Sequence, residues 1–384
     1  MTFSGAPGGR ILVTALASLA LMVVMAAGCR TPETVRFGIV VTEEAVVAAQ
    51  LAAAEINASG GIRGHPLELH VIAGGSSTRA SLSLAAAEEL SRDPTVIGVV
   101  GHSNSSASLS AAQIYNARHL VQIAPTSSAP LLSKVGPYTF RLVPSDVHQA
   151  RFLANQVTAG HSTPRVALFF VNDDYGHALH EELHALLQQA GVPVVYDAPY
   201  SHEEPLPDPA ATARRIAEER PELLVWLGRS AQLRQLLPEL RRTSPGIRTL
   251  ASDGIDEMMT YRNEGGLLDG VQYVSLVDLS ASRAALEKLR TRFLAASGFP
   301  LTAEAAFTYD AVMLLASAAR SAGIRPEAMR DYLAGVGTRY PPHAGATGAI
   351  AFDGHGDPRP AYGLVEITAG GPRVVIHTGS TDTE

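Results

Sequence analysis

Apolar residues along the chain follow two alternating patterns from residue 35 onward. Short, β-branched runs at residues 35–41, 67–72, 95–100 and 120–123 predict buried strands, and the stretches between them carry apolar residues at helical spacing. Gly60 and Gly61 are expected to end the first helix, because glycine adopts the left-handed conformation of a helix C-terminus. Strands that alternate with helices in this way are typical of a parallel sheet covered on both faces.

A second series of the same kind follows residue 144. Strands are predicted at residues 165–171, 192–196, 223–227 and 248–252, again with helical stretches between them. Three more helices are predicted near residues 281–297, 303–321 and 326–336, and the tail from 350 to 377 has the pattern of antiparallel strands. The predicted fold class is therefore α/β, with two doubly wound parallel-sheet lobes.

The first residues have the pattern of an export signal. Arg10 precedes a 17-residue apolar run at residues 11–27, which is short for a membrane-spanning helix. Ala26-Ala27-Gly28-Cys29 then resembles the bacterial lipobox, in which the cysteine thiol takes a diacylglycerol. We predict a signal peptide at residues 1–28, lipidation of Cys29 and a tether at residues 29–36. An uncleaved N-terminal anchor is the alternative, and either places the rest of the chain outside the cytoplasm.

Composition narrows the possible functions. A chain of 384 residues is longer than a single hydrophobic core usually supports, so more than one lobe or domain is expected. A content of 46% apolar and 17% charged residues is typical of a globular protein. The net charge is −7 and there is no basic block, so a nucleic-acid partner is not expected. The single cysteine excludes a disulfide framework and a cysteine-based zinc site.

Hydroxyl-rich loops follow two predicted strands of the first series. Residues 101–106 (GHSNSS) lead into a helix, and residues 124–130 (APTSSAP) follow a neighbouring strand. Ligands of open parallel sheets bind beyond the carboxyl ends of the strands, and helix N-termini attract anions. Neither loop has the glycine pattern or the lysine of a phosphate site, so a carboxylate is the expected ligand group. Ordinary helix capping is the alternative for each loop.

The second series offers different groups at its strand ends. Tyr175 follows the first strand of that series, Gly228-Arg229-Ser230 follows the third, and Asp253 follows the last. Hydroxyls and amides on one lobe, opposite an acid and an aromatic ring on the other, would suit a zwitterion. Binding of such a ligand would then be coupled to closure of the two lobes.

One motif points to a different chemistry. His180-Glu181-Glu182-Leu183-His184 matches H-E-x-x-H, in which two histidines on one helix face bind zinc and the glutamate acts as general base. The same helix carries Leu179, Leu183, Leu186 and Leu187 on its predicted core face. We interpret the histidines as a solvated flank of that face, and we predict no metal, cofactor or catalytic residue.

In their order along the chain, the motifs resemble those of type I periplasmic binding proteins, specifically the leucine/isoleucine/valine-binding family of ABC-transporter receptors. The resemblance extends from about Phe37 to Gly363. The segments that carry it are residues 55–64 (EINASGGIRG), 99–106, 123–130, 140–149, 174–176 (DYG), 309–311 (YDA), 345–348 (GATG) and 352–358.

The resemblance implies a fold, a site and partners. Two lobes, at residues 37–141 with 275–346 and at 142–274 with 347–384, would be joined by a hinge of several crossings. Ser105, Thr126 and Ser128 would hold the carboxylate and part of the ammonium of an amino acid. Tyr175 would cover the ligand, Asp253 would take the ammonium, and Ser230 stands where relatives often place an aromatic residue.

The implied protein is a monomeric, lipid-anchored solute receptor that delivers its ligand to an ABC permease and catalyses no reaction. The side-chain class of the ligand stays open, and so do amides and small aromatic acids. A ligand sensor of the same fold is an alternative, and a zinc-dependent hydrolase that uses His180 and His184 is a third possibility.

Overall fold

The structure is a computed structural model that describes residues 1–2, 34–74, 79–160, 163–201, 204–257 and 263–377. The predicted signal peptide from residue 3 onward and the predicted lipidation site, Cys29, lie outside the described residues. Among the described residues, no helix combines the length and the apolar character needed to span a membrane.

Lobe 1, comprising residues 34–141 and 284–352, is built on a parallel sheet. Its strands have the order β2-β1-β3-β4-β5, and β3 is buried along its whole length because helices cover both faces of the sheet. The strands are β1 (Val35–Val40), β2 (Leu67–Val71), β3 (Val96–Gly101), β4 (Gln122–Ala124) and β5 (Thr139–Arg141).

Lobe 2, comprising residues 146–275 and 362–377, contains the larger sheet, of order β14-β13-β10-β9-β8-β6-β7. Strands β6 to β10 run parallel, and the last two strands join antiparallel at one edge, as the sequence pattern predicts. The strands are β6 (Val166–Val171), β7 (Val194–Tyr200), β8 (Leu223–Leu227), β9 (Arg248–Ala251), β10 (Gln272–Ser275), β13 (Gly363–Thr368) and β14 (Gly371–His377). The short strands β11 (His343–Ala344) and β12 (Ala349–Ile350) pair with each other in lobe 1.

Helices cover both sheets, and several of them begin at the cleft between the lobes. Three of these are capped by side chains: Asn104 accepts from the amide of Ala107, Asp173 from Gly176 and Thr302 from Ala305. The helices are α1 (Glu43–Ala58), α2 (Ala80–Arg92), α3 (Ser105–Ala117), α4 (Asp146–Thr158), α5 (Asp174–Gln189), α6 (Pro209–Glu218), α7 (Ser230–Thr243), α8 (Ala284–Ser297), α9 (Ala303–Ala322) and α10 (Pro326–Ala334). Helix α4 is not among the elements predicted from the sequence pattern.

Within the described residues, the chain crosses between the lobes three times, near residues 142–145, 276–283 and 353–361. Leu276, on the second crossing, packs against the hydrophobic cores of both lobes. The third crossing comes later than the expected boundary at residue 347, because Ile350 and Phe352 lie in the core of lobe 1. Tyr362 is the first residue of the last segment to lie in the core of lobe 2.

A buried arginine joins the hinge to one of the hydroxyl-rich loops. Arg141 is 1% exposed and donates two hydrogen bonds of 2.6 Å to the carboxylate of Asp357 on the third crossing. Its other guanidinium nitrogen donates to the carbonyl oxygens of Ser128 and Ala129, at 2.9 and 3.0 Å. The geometry of the loop and of the crossing therefore depends on one side chain.

We expect Arg141→Ala to lower the free energy of unfolding by about 3–5 kcal/mol, because it leaves Asp357 and two buried carbonyl groups without their partner. Urea unfolding measures this loss. Arg242→Ala is the matched control, since its ion pair with Glu239 is exposed, and removing it should cost less than about 1 kcal/mol. Equal losses in the two variants would contradict the role assigned to Arg141.

Candidate functional site

A cavity of about 80 Å³ lies between the lobes at the carboxyl ends of the parallel strands. We call it the cleft cavity. Lobe 1 lines it with Ser103, Asn104, Ser105, Thr126, Ala303 and Glu304. Lobe 2 lines it with Tyr175, Arg229, Asp253, Gly254, Asp256 and Glu257, and the hinge adds Leu276. A cavity needs at least about 10–15 Å³ to hold one water molecule, so this space holds several water molecules or a small ligand.

The two hydroxyl-rich loops of lobe 1 are bonded to each other behind the cavity. The carbonyl oxygen of His102 accepts hydrogen bonds from Ser108 and Ser127, both at 3.1 Å, and the two serine hydroxyls are 2.8 Å apart. Burial lowers the pKa of His102 to about 3, so this histidine stays neutral. The loops therefore form a rigid, uncharged wall.

The hydrogen bonds of this wall determine what its hydroxyls can offer a ligand. Thr126 donates its proton to the carbonyl oxygen of Ser103 at 2.9 Å, so toward a ligand it can act only as an acceptor. Ser105 accepts from the amide of Ala129 at 3.1 Å and keeps its own proton to donate. Ser105 therefore suits a carboxylate, together with the N-terminal amides of α3, and Thr126 suits an ammonium group.

Asp253 is the centre of the wall contributed by lobe 2. Its Oδ1 accepts from the Tyr175 hydroxyl at 2.6 Å and from the Gln149 amide at 2.8 Å. No described residue donates to Oδ2, which leaves that oxygen to a ligand. Burial raises the pKa of Asp253, and burial together with the charge of Asp253 raises the pKa of Asp146 well above its usual value. A ligand ammonium would offset this charge.

Close packing sets the shape of the same wall. A side chain at Gly254 would lie 2.6 Å from the carbonyl oxygen of Gly228 and 3.2 Å from the ring of Tyr175, so only glycine fits there. The Arg229 guanidinium lies 5.3 Å from the centre of the Tyr175 ring. No described residue accepts a hydrogen bond from this guanidinium.

Glu304 enters the cavity from the second position of α9. Its Oε1 accepts from the Ser103 hydroxyl and, at 3.3 Å, from the amide of Thr42. Its Oε2 accepts no hydrogen bond from a described residue. Burial raises the pKa of Glu304 to about 7, and the nearby Glu44 acts in the same direction. A group that titrates at neutral pH therefore lies in the cavity wall.

The structure brings four of the six predicted ligand-binding residues to the cleft cavity: Ser105, Thr126, Tyr175 and Asp253. The other two do not line it. Ser128 is 1% exposed on the loop held by Arg141, and Ser230 is fully buried, with its amide donating to Glu257 at 2.7 Å. At the start of α7, Arg229 reaches the cavity in place of Ser230.

Several lining residues were not predicted. Arg229 lies in a loop that directly follows a predicted strand, so the sequence pattern locates this loop at the cleft, although it does not single out Arg229. Glu257 and Glu304 follow no parallel strand directly and carry no such signal, and Leu276, which follows β10 directly, has no polar group that marks it as a ligand-binding residue. Gln149, which bonds Asp253, belongs to a helix that the pattern did not reveal.

Comparison with known proteins identifies the family. A family model described as "Periplasmic binding protein" matches residues 27–372. The chain belongs to this family. An amino acid binding protein of Pseudomonas aeruginosa is 26% identical to it over 313 residues, 80% of either chain. Leu/Ile/Val-binding protein homolog 1 of Brucella abortus is 24% identical over 318 residues, 82% of either chain.

Solved structures of periplasmic binding proteins share the fold. The leucine binding protein LivK of Thermotoga maritima has a TM-score of 0.80 at 19% identity, over 89% of this chain and 98% of that one. LivJ of Streptococcus pneumoniae, solved with isoleucine, has a TM-score of 0.78 at 20% identity, over 89% and 99%. The predicted fold class and family are confirmed.

In this periplasmic binding protein, the H-E-x-x-H histidines lie on lobe 2, outside the cleft cavity. His180 is 2.9 Å from both oxygens of Asp197 and stacks on Phe170, and His184 lies 3.8 Å from the same carboxylate. Leu179 and Leu183 are buried on the core side, as predicted. Among the described residues, no group of three histidine, cysteine or acidic side chains could hold a metal ion.

A larger groove, of about 450 Å³, lies between α8, the second crossing and the edge of the lobe 2 sheet. Leu294, Leu301, Val365 and Val374 give it an apolar wall. Of the loops that follow the parallel strands, only the segment after β10 lines it, at residues 277–280, whereas the loops after β3, β4, β6, β8 and β9 line the cleft cavity. Ligands of such folds bind at these loops. The smaller cleft cavity is therefore the candidate site of this binding protein.

We expect Glu304→Gln to become more stable relative to the wild type as the pH rises from 5 to 8. A carboxyl group with a higher pKa in the folded protein binds its proton more tightly there, so the folded state loses stability as that proton leaves. The shift from 4.5 to about 7 corresponds to about 3 kcal/mol at most. Gln retains the acceptor for Ser103 and Thr42.

Urea unfolding of both proteins at several pH values across this range measures the effect. Glu287→Gln removes an exposed carboxylate and serves as the control. A stability difference between Glu304→Gln and wild type that stays constant with pH would show that Glu304 ionises normally.

Proposed function

We propose that this chain is a lipid-anchored receptor outside the cytoplasm, which binds an amino acid between its lobes and delivers it to an ABC permease. Its relatives include proteins named for binding amino acids, and the fold is shared with leucine and isoleucine binding proteins. The proposal involves no covalent chemistry and no cofactor.

One observation carries the proposal: the two lobes offer complementary halves of a zwitterion site. In lobe 1, the Thr126 hydroxyl can only accept a hydrogen bond from a ligand, and the Ser105 hydroxyl can donate one. Lobe 2 has a carboxylate oxygen, Oδ2 of Asp253, to which no described residue donates a hydrogen bond. An α-amino acid would place its carboxylate at Ser105 and its ammonium between Thr126 and Asp253.

Such a ligand would favour the closed arrangement of the lobes. A ligand shifts a conformational equilibrium only by its difference in affinity for the two states, and only a closed cleft brings both sets of partners to one molecule. The lobes already touch beside the cavity, where the amide of Asp174 donates to the Ser106 hydroxyl at 3.2 Å. A permease would then distinguish the closed form from the open one.

We expect an α-amino acid to raise the melting temperature of the full-length protein in detergent, by several degrees at about 100 times Kd. Asp253→Asn should weaken this ligand at least tenfold in calorimetry, because an amide cannot offer the ammonium a charged oxygen. Asn still accepts from Tyr175 and Gln149, so the wall should keep its shape.

Asp331→Asn is the matched control for charge, since Asp331 is exposed on α10 and outside the cleft. It should bind the ligand as the wild type does. A screen in which no α-amino acid binds the wild type would disprove the proposed ligand class. Equal affinities in Asp253→Asn and the wild type would disprove the role of Asp253.

The anchor is tested at the N-terminus. We expect mass spectrometry of the protein extracted from membranes to show a peptide that begins at Cys29 and carries a diacylglycerol. Cys29→Ser should abolish that modification. An unmodified N-terminus that still begins at Met1 would instead support an uncleaved apolar anchor.

A further inference from the structure

The walls of the cleft cavity are poorly suited to an aliphatic ligand side chain. Leu276 and Ala303 are the only aliphatic side chains among the described residues that line it. Four of the others are carboxylates: Asp253, Asp256, Glu257 and Glu304. Burying a branched alkyl group against them would remove water from the carboxylates without replacing its hydrogen bonds, and this is costly.

Glu304 differs from Asp253 and Glu257, which interact with the charge of Arg229, in having no ion-pair partner among the described residues. Its hydrogen bonds come from the Ser103 hydroxyl and the Thr42 amide, which carry no charge, and the charge of another acid, Glu44, raises its pKa further. Its second oxygen, Oε2, receives no hydrogen bond from a described residue. A cation bound here would stabilise the charged form of Glu304, whose pKa burial raises to about 7.

The arginine of the cavity does not serve as that partner. Arg229 lies on lobe 2, where the charges of Asp173 and Glu257 raise its pKa and its guanidinium lies over the Tyr175 ring. No described residue forms an ion pair with Glu304 within 4 Å. The ammonium of a zwitterionic ligand would be taken by Asp253 and Thr126, so Glu304 would still lack a partner after an aliphatic amino acid had bound.

We propose that the ligand carries a second cationic nitrogen on its side chain and that Glu304 binds this nitrogen through Oε2. The ligand class is then that of short diamino acids, such as ornithine and lysine, rather than branched aliphatic ones. This inference rests on the proposed function, since it places the α-amino and carboxyl groups at Asp253 and Ser105.

The charged and titratable groups around Glu304 determine how binding depends on pH. They are Glu44 on α1, His102 behind the loop of lobe 1, and Arg229, Asp253, Asp256 and Glu257 across the cavity. The ratio of the affinities of two ligands that differ only in the side-chain nitrogen measures what that nitrogen contributes to binding. Because Asp253, Asp256 and Glu257 line the same cavity, the Glu304→Gln variant is what assigns this contribution to Glu304.

Calorimetry with two matched ligand pairs tests the proposal on the full-length protein. Lysine and norleucine have the same carbon chain with and without the terminal ammonium, and ornithine and norvaline form the same pair one methylene shorter. We expect the charged member of at least one pair to bind at least tenfold more tightly at pH 8. The preference should fall about tenfold between pH 8 and pH 6, as a carboxyl with a pKa of about 7 takes up its proton.

Glu304→Gln should remove both the preference and its pH dependence, while norleucine or norvaline binding shows that the variant is folded. Glu287→Gln, on the exposed face of α8, should retain both. The assignment to diamino acids is wrong if the uncharged members or leucine bind as tightly as the charged ones and Glu304→Gln leaves all these affinities unchanged. The proposal that the protein is an amino acid receptor would not be affected by that result. If no α-amino acid of the panel binds, the proposed function fails as well.

Discussion

A single buried guanidinium connects the hinge to the binding loop. Arg141 cannot lose its charge, so once it is inside the protein it must be given acceptors on every side. It takes them from Asp357 on the third crossing and from the carbonyl oxygens of Ser128 and Ala129. These hydrogen bonds hold the loop that carries Thr126 in a fixed position relative to the hinge. The shape of the cleft cavity therefore depends on Arg141.

The fold was largely predictable because its signals are local. Strands such as β3 and β6 are buried on both faces and are therefore continuous runs of apolar residues. Such runs can be recognised in the sequence without knowing which strands pair with each other. Helix α4 was missed because it starts at the first crossing, where Asp146 and Gln149 are turned toward polar partners in lobe 2. The third crossing was placed too early, since nothing local shows which core Ile350 and Phe352 join.

The site was only partly predictable, for a similar reason. Residues at strand ends, such as Ser105 and Asp253, can be located from the pattern of the strands themselves. Glu304 cannot, because an acid in the first turn of a helix looks like an ordinary complement to the helix dipole. Its role depends on the hinge folding α9 back against lobe 1. The sequence locates the loop at residues 228–230 but not the side chain that faces the cleft, and the family resemblance implied Ser230, whereas Arg229 lines the cavity.

The separation of donors and acceptors around the cleft cavity has a stereochemical consequence. Ser105 offers a proton, while Thr126 and Asp253 offer lone pairs from opposite lobes. Glu304 adds a further direction. Three different substituents of one tetrahedral carbon would each bind at a different wall of the cavity. In the mirror-image ligand, two of these substituents would face walls that do not complement them. The protein would then select one enantiomer of its ligand through the positions of a few oxygen atoms rather than through the volume of the cavity.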